Sequence, residues 1–139
     1  MVMFPSKEWV EEVRKITEFD PEIVKAGADM EESSAVGVIE AEPGKLEKPF
    51  IYYLRGAHGK VLEACVLNSV DEKQASYVIR APYSVLKKII KKELDGLQAL
   101  MKGQIKIKGD MQKLLKYAKY QQLGLQVLTK IKTEFIDDK

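Results

Sequence analysis

The sequence predicts an α+β fold in which a five-stranded, mainly antiparallel sheet is covered by helices on one face. Three observations carry this. Between Gln104 and Ala118 an alternation of period two, with Ile105 and Ile107 set against Lys106 and Lys108, switches abruptly to the helical spacing of Met111, Leu114, Leu115 and Ala118. Four earlier runs, 34–42, 50–55, 61–67 and 75–80, carry β-branched and aromatic residues and are bounded by Gly, Pro, Asn and Ser. The amphipathic stretches fall in runs instead of alternating one for one with the strands, which disfavours a doubly wound α/β fold.

The elements follow in order. Ser6 precedes KEWVEEVRKI, where Trp9, Val13 and Ile16 recur at helical spacing and Val10 widens the stripe, so a first helix of about three turns starts on a Ser cap. Asp20 and Pro21 read as the cap and first position of a short second helix that holds Ile23 and Val24 and ends at Gly27. The first strand, 34–42, closes at the turn pair Pro43-Gly44. The second, with Tyr52, Tyr53 and Leu54, returns through Gly56-Ala57-His58-Gly59 into the third. Asn68, Ser69 and Asp71 form a loop before the fourth strand, and Pro82 stops that ladder. A helix through Leu86, Ile89 and Ile90 starts near Ser84, a helical turn runs from Leu97 to Met101, and the fifth strand spans 104–108. Gly109 permits a sharp junction and Asp110 caps the helix after it. The last third is helical, with a break or kink expected near Gly124. The first four strands are expected to pair as a meander and the fifth to arrive after a helical crossover.

Size and charge narrow the function classes. A chain of 139 residues, 45% hydrophobic and 32% charged, buries an adequate core as one domain, residues 1–139, without disulfides or metal. With 23 basic and 21 acidic side chains the net charge of +2 gives no argument for nucleic acid. The N-terminal MVMFPSKEWVEEV lacks the basic-then-apolar pattern of a secretory signal, and Asp137-Asp138-Lys139 is not a peroxisomal tripeptide. A cytoplasmic protein is expected. Catalysis has little to rest on: the one His, His58, lies in a turn, Cys65 sits inside the apolar ACVL strand, no third group is evident to orient the pair, and Glu63 on the same strand is explained more simply by an edge facing solvent than as a buried acid. No phosphate loop, Ser elbow or zinc spacing occurs, so neither an enzyme nor a cofactor or metal site is expected.

Three consecutive stretches, LRGAHGKVLEACVL, ASYVIRAPYSVLKKIIKKELDGLQALMKG and QIKIKGDMQKLL, together resemble the sterol carrier protein type two family of lipid-binding domains. The resemblance extends from about Trp9 to Leu128 and rests on the ordered set of elements instead of any one motif. It implies an apolar tunnel between the sheet and the helices near the C-terminal end. The lining it implies begins with Val85, Ile89, Leu97, Leu100 and Met101, and continues with Ile105, Ile107, Met111, Leu114 and Leu115. Met101 and Met111 suit such a wall because thioether side chains adapt to irregular ligands, and they serve a closed core equally well. The segment 123–135, with Leu125, Leu128, Ile131 and Phe135, is either a fixed wall or a lid hinged at Gly124.

The implied function is non-catalytic lipid binding and transfer, with a fatty acyl, acyl-CoA, sterol-like or isoprenoid ligand. The alternative is an accessory or dimerising scaffold for an enzyme of a lipid or quinone pathway, as a monomer or a homodimer. Sequestering an acyl chain from water gains about 0.8 kcal/mol per methylene, but against a bilayer, where the chain already lies in hydrocarbon, the gain nearly vanishes. A tunnel of this kind therefore makes a carrier more readily than a trap. Lys87, Lys88, Lys91 and Lys92 crowd one helix and Lys102, Lys106, Lys108, Lys113, Lys116 and Lys119 cluster later, which suits transient docking to an anionic membrane surface or a solvated face.

Overall fold

The computed structural model describes residues 1–138. Strand β1 (Val2–Phe4) leads into helices α1 (Lys7–Phe19) and α2 (Pro21–Ala26). Strands β2 (Ser33–Glu40), β3 (Phe50–Ala57), β4 (Lys60–Leu67) and β5 (Tyr77–Pro82) follow, then helices α3 (Tyr83–Ile90) and α4 (Gly96–Met101). Strand β6 (Lys106–Lys108), helices α5 (Met111–Lys116) and α6 (Ala118–Val127) and strand β7 (Thr133–Phe135) complete the chain.

The helices start where short polar side chains take up free backbone N–H groups. The Ser6 hydroxyl accepts from the Trp9 N–H at 3.1 Å, and carboxylates at Asp20 and Asp110 do the same for the first turns of α2 and α5. Helix α3 begins directly after Pro82, and its Ser84 N–H is taken up by the Glu42 carboxylate at 2.7 Å, a bond that holds Glu42 below the usual carboxylate range. The β3–β4 hairpin turns through His58 and Gly59, both with positive φ (54° and 78°), the geometry of a type I′ turn.

The five strands lie in the order β4-β3-β2-β5-β6. Pairs β4–β3, β3–β2 and β5–β6 are antiparallel, whereas β5 runs parallel to β2. The expected meander therefore stops at β4, which is left at the edge, and residues 68–76 carry the chain back across the sheet to the far side of β2. Alternation then assigns the faces. Ile39, Tyr52, Ile79, Ala81 and Ile107 face the helices and join the main core with Trp9, Leu86, Leu123 and Val127. Val36, Val38, Ile51, Tyr53 and Leu67 face the other way and are covered by the crossover, through Val70 of a single 3-10 turn (Val70–Glu72) and Ala75, not by an α-helix.

Two features depart from the expected elements. Strands β1 and β7 pair in parallel, Phe4 opposite Phe135, as a separate two-stranded sheet. Phe4 stands fully buried there among Trp9, Tyr83 and Phe135 at ring-centroid distances of 4.8, 5.5 and 6.1 Å. The C-terminal helical region breaks at Tyr117, between α5 and α6, and α6 passes through Gly124 without interruption.

Candidate functional site

A cavity of about 240 Å³ lies between the helix-covered face of the sheet and helices α1, α5 and α6. Its floor is Ala35 and Ile39 of β2, Tyr52 and Leu54 of β3 and Ile79 of β5; Trp9, Val13 and Thr17 of α1 form one side. Tyr120, Gly124 and Leu125 of α6 form the opposite side, with Leu114 of α5 and Ile105 completing the wall. The rim is made by Met30, Glu31 and the His58-Gly59 turn.

Small residues shape this space. A Cβ at Gly37 would stand 2.2–2.5 Å from the Tyr52 ring and hydroxyl, so glycine at the central strand lets that ring lie flat across the sheet. Tyr52 then meets Trp9 edge to face at 5.6 Å. At the rim, a Cβ on Gly27 would stand 2.9 Å from both the Gly59 Cα and the Tyr120 ring, so α2, the hairpin turn and α6 converge closely there. The turn is tied down by the His58 N–H, which donates to the Met30 carbonyl at 2.8 Å.

The lining is mainly apolar, with polar side chains at Thr17, Ser33, Ser34, Tyr52, Tyr77, Tyr120 and Gln121. Burial pushes the Tyr52 phenol up to about 12 and raises that of Tyr120 as well, so both stay neutral donors across the physiological range. The Trp9 indole N–H is buried with no hydrogen-bond partner among the described residues. No Lys or Arg lines the cavity, and Glu31 and His58 stand exposed at its rim.

Of the residues expected to line a lipid site, the structure brings Ile105 and Leu114 into the cavity wall. Ile89 is closed into the main core; Val85, Leu100 and Ile107 pack half-buried against it. Leu97 lines a separate surface depression with Asp95, Lys92 and Gln126. Met101, Met111 and Leu115 point to solvent, 79%, 46% and 70% exposed. The expectation passed over Trp9, Val13, Tyr52, Leu54, Ile79 and Tyr120. The Trp9–Val13 spacing and the alternation of Tyr52 with Tyr53 marked those faces as apolar, but nothing local distinguishes a cavity wall from a filled core.

Catalytic groups do not assemble around this space. His58 Nδ1 lies 3.2 Å from the Ala28 carbonyl on the cavity side, while Cys65 packs on the opposite face of the sheet, where burial pushes its thiol up. Glu63 is bound to Arg55 and Lys73 at 3.4 and 3.2 Å, and among the described residues no cluster of His, Cys, Asp and Glu can hold a metal ion.

One family model matches the chain, that of the SCP-2 sterol transfer family, over residues 25–122, well beyond half its length. The chain belongs to that family. Solved structures share the fold of this SCP2 domain. A crystal structure of sterol carrier protein 2 is 23% identical with a TM-score of 0.78, covering 91% of this chain and 98% of that one. A solution structure from Thermus thermophilus, a conserved hypothetical protein described as possibly a sterol carrier protein, is 21% identical with a TM-score of 0.79, covering 96% and 93%. The UbiJ-SCP2 ubiquinone synthesis protein is more distant, 15% identical with a TM-score of 0.51 over 83% and 86%. Comparison with curated proteins finds no match.

Proposed function

We propose that this SCP2 domain is a non-catalytic lipid carrier that holds a fatty acyl, sterol-like or isoprenoid ligand against the sheet in an apolar tunnel of which the cavity is part. The observation that supports it is the cavity itself: an apolar space walled by α1, α6 and the sheet, in a chain that belongs to a sterol transfer family. The reading takes residues 1–139 as a single cytoplasmic domain without a nucleic-acid partner. Ile105 and Leu114 are its wall contacts from the C-terminal half. At about 240 Å³ the space is somewhat smaller than the roughly 300–1,000 Å³ of common ligand sites, so a long chain is accommodated only as the walls move apart.

Helix α5 links this site to a membrane. Leu114 lines the cavity, while Met111 and Leu115, one turn apart, are exposed beside Lys113 and Lys116. Exposed apolar side chains flanked by lysines suit an anionic bilayer surface, from which a lipid reaches the cavity past α5.

Native mass spectrometry of the purified protein, with extraction of the same sample, tests the carrier reading. A bound lipid of defined mass, lost in Leu54→Trp while circular dichroism stays unchanged, is expected. A protein that is empty and takes up no lipid favours the second reading, an accessory scaffold, for which the fold shared with the UbiJ-SCP2 ubiquinone synthesis protein and the small cavity volume speak.

A further inference from the structure

The cavity has a mouth and a closed end. Its floor runs in rows along the strands: Ser33 opposite Gly56, then Ala35 opposite Leu54, then Gly37 between Tyr52 and Ile79, and last Ile39 beside Ala81. From Ser33 to Ile39 this spans about 20 Å of strand. The helices keep the same order. Helix α6 passes from Tyr120, against Gly27 and the Gly59 turn, toward Leu128 next to α3, while Trp9 of α1 meets Tyr52 and Thr17 lies two turns further toward the hairpin.

Burial and polarity divide along that axis. Thr17, Glu31, Ser33, Ser34, His58 and Gln121 gather at the Ser33 end, half-buried or exposed. At the Ile39 end Trp9, Ala81, Leu86, Ile105 and Leu128 are buried, and no charged side chain reaches the wall among the described residues. Helix α5 flanks the mouth, where Tyr77 donates to the Asp110 carbonyl at 3.2 Å and Tyr117 to the Asp29 carbonyl at 3.4 Å.

Gly124 stands halfway. Tyr120, Gly124 and Leu128, one turn apart, form the stripe of α6 that faces the cavity. Between the other two, Gly124 leaves the wall bare, with no atom within 4 Å of the place its Cβ would take. The way from the mouth to the closed end is open at this point because no side chain crosses it.

A single-chain amphiphile fits such a space in one orientation. Its hydrocarbon gains by leaving water, whereas its head would lose hydration at an end that offers no charged partner. Building on the carrier reading, we infer that the site takes single-chain lipids tail first, with the head group left in water at the mouth beside Thr17, Ser33 and Gln121, and that Gly124 sets how far the tail runs. The size of the head then matters little, so a lysophospholipid is as good an occupant as a simple alcohol.

Displacement of a neutral phenylnaphthylamine dye by octyl, decyl and dodecyl chains tests this, each chain used as the alcohol and as the phosphocholine below its micelle-forming concentration. Affinity is expected to rise by up to about fourfold per methylene in both series, with the two heads agreeing within about threefold at each length. In Gly124→Leu, whose side chain enters the open space, octyl chains are expected to bind as they do to the parent, while the gain from octyl to dodecyl shrinks about tenfold or more. Gln126→Leu, on the exposed side of the same helix, is the control and keeps the full gain. Phosphocholines that bind the parent protein about tenfold or more weakly than the alcohols overturn the inference, because the head is then drawn inside. A full gain in Gly124→Leu, or an equal loss at every length, overturns it too. Each of these results leaves the carrier reading standing. If neither the dye nor any chain binds, the carrier reading falls, and this inference with it.

Discussion

Gly37 is the position where a single methyl group has the largest consequence for the site. In Gly37→Ala the new Cβ would fall 2.2 Å from the Tyr52 ring, which must then rise into the cavity or leave the sheet. Overpacking of this kind costs about 1–3 kcal/mol, so a lower urea midpoint is expected together with loss of dye uptake. Asp137 supplies a different residue-scale test. Its side chain is 13% exposed, and against the desolvation this imposes, the Tyr83 hydroxyl at 2.6 Å and the Lys87 ammonium at 2.9 Å hold its carboxyl below the usual value. A lowered folded-state value stabilises the protein above the unfolded carboxyl value of about 3.9 and the gain is lost as pH falls through the folded value. Asp137→Asn is therefore expected to cost about 1 kcal/mol at neutral pH, and the gap between variant and parent should close below about pH 4 in denaturation curves.

Among the elements, α6 makes the most direct prediction. Gly124 lies inside this helix with no atom within 4 Å of where its Cβ would be, so Gly124→Ala removes backbone entropy from the unfolded chain without a clash. A gain of about 0.5–1 kcal/mol, seen as a raised melting temperature, is expected. If Gly124 were a working hinge, the same change would slow lipid exchange. The helix starts were legible because caps are local: Ser6, Asp20 and Asp110 announce themselves within four residues of what they bind. The position of β5 was not, because Tyr77 pairs with Ala35, far away in the chain, and only the sheet as a whole determines that neighbour. Strands β1 and β7, three residues each, are too short to show a period. The break at Tyr117 has no local signal, because its neighbours carry no Gly or Pro, whereas Gly124 lies where the helix continues. For the site, Ile105 and Leu114 were readable as inward-facing, but Met101 and Leu115 carry the same apolar character outward. Period separates two faces of an element without saying which of them meets a partner.

At the scale of the whole molecule, carriage of a lipid requires both an interior that opens and a surface that meets bilayers. Co-sedimentation with anionic vesicles is expected to fall as salt rises and to be reduced several-fold in Met111→Ser/Leu115→Ser, with neutral vesicles recovering little protein. Equal recovery on both vesicle types removes the role given to α5. Lys87 contributes nothing to that surface, held as it is by Asp137 and Asp138 at 2.9 and 2.8 Å. The pairing of β1 with β7 has a consequence for how the protein is made. On a ribosome the chain emerges from its first residues onward, so β1 is released early and Phe4 has no strand partner until Phe135 has been added and cleared the exit channel. Until then the ring that the folded domain buries completely is open to chaperones, and the aromatic cluster it joins cannot be assembled before Phe135 has emerged.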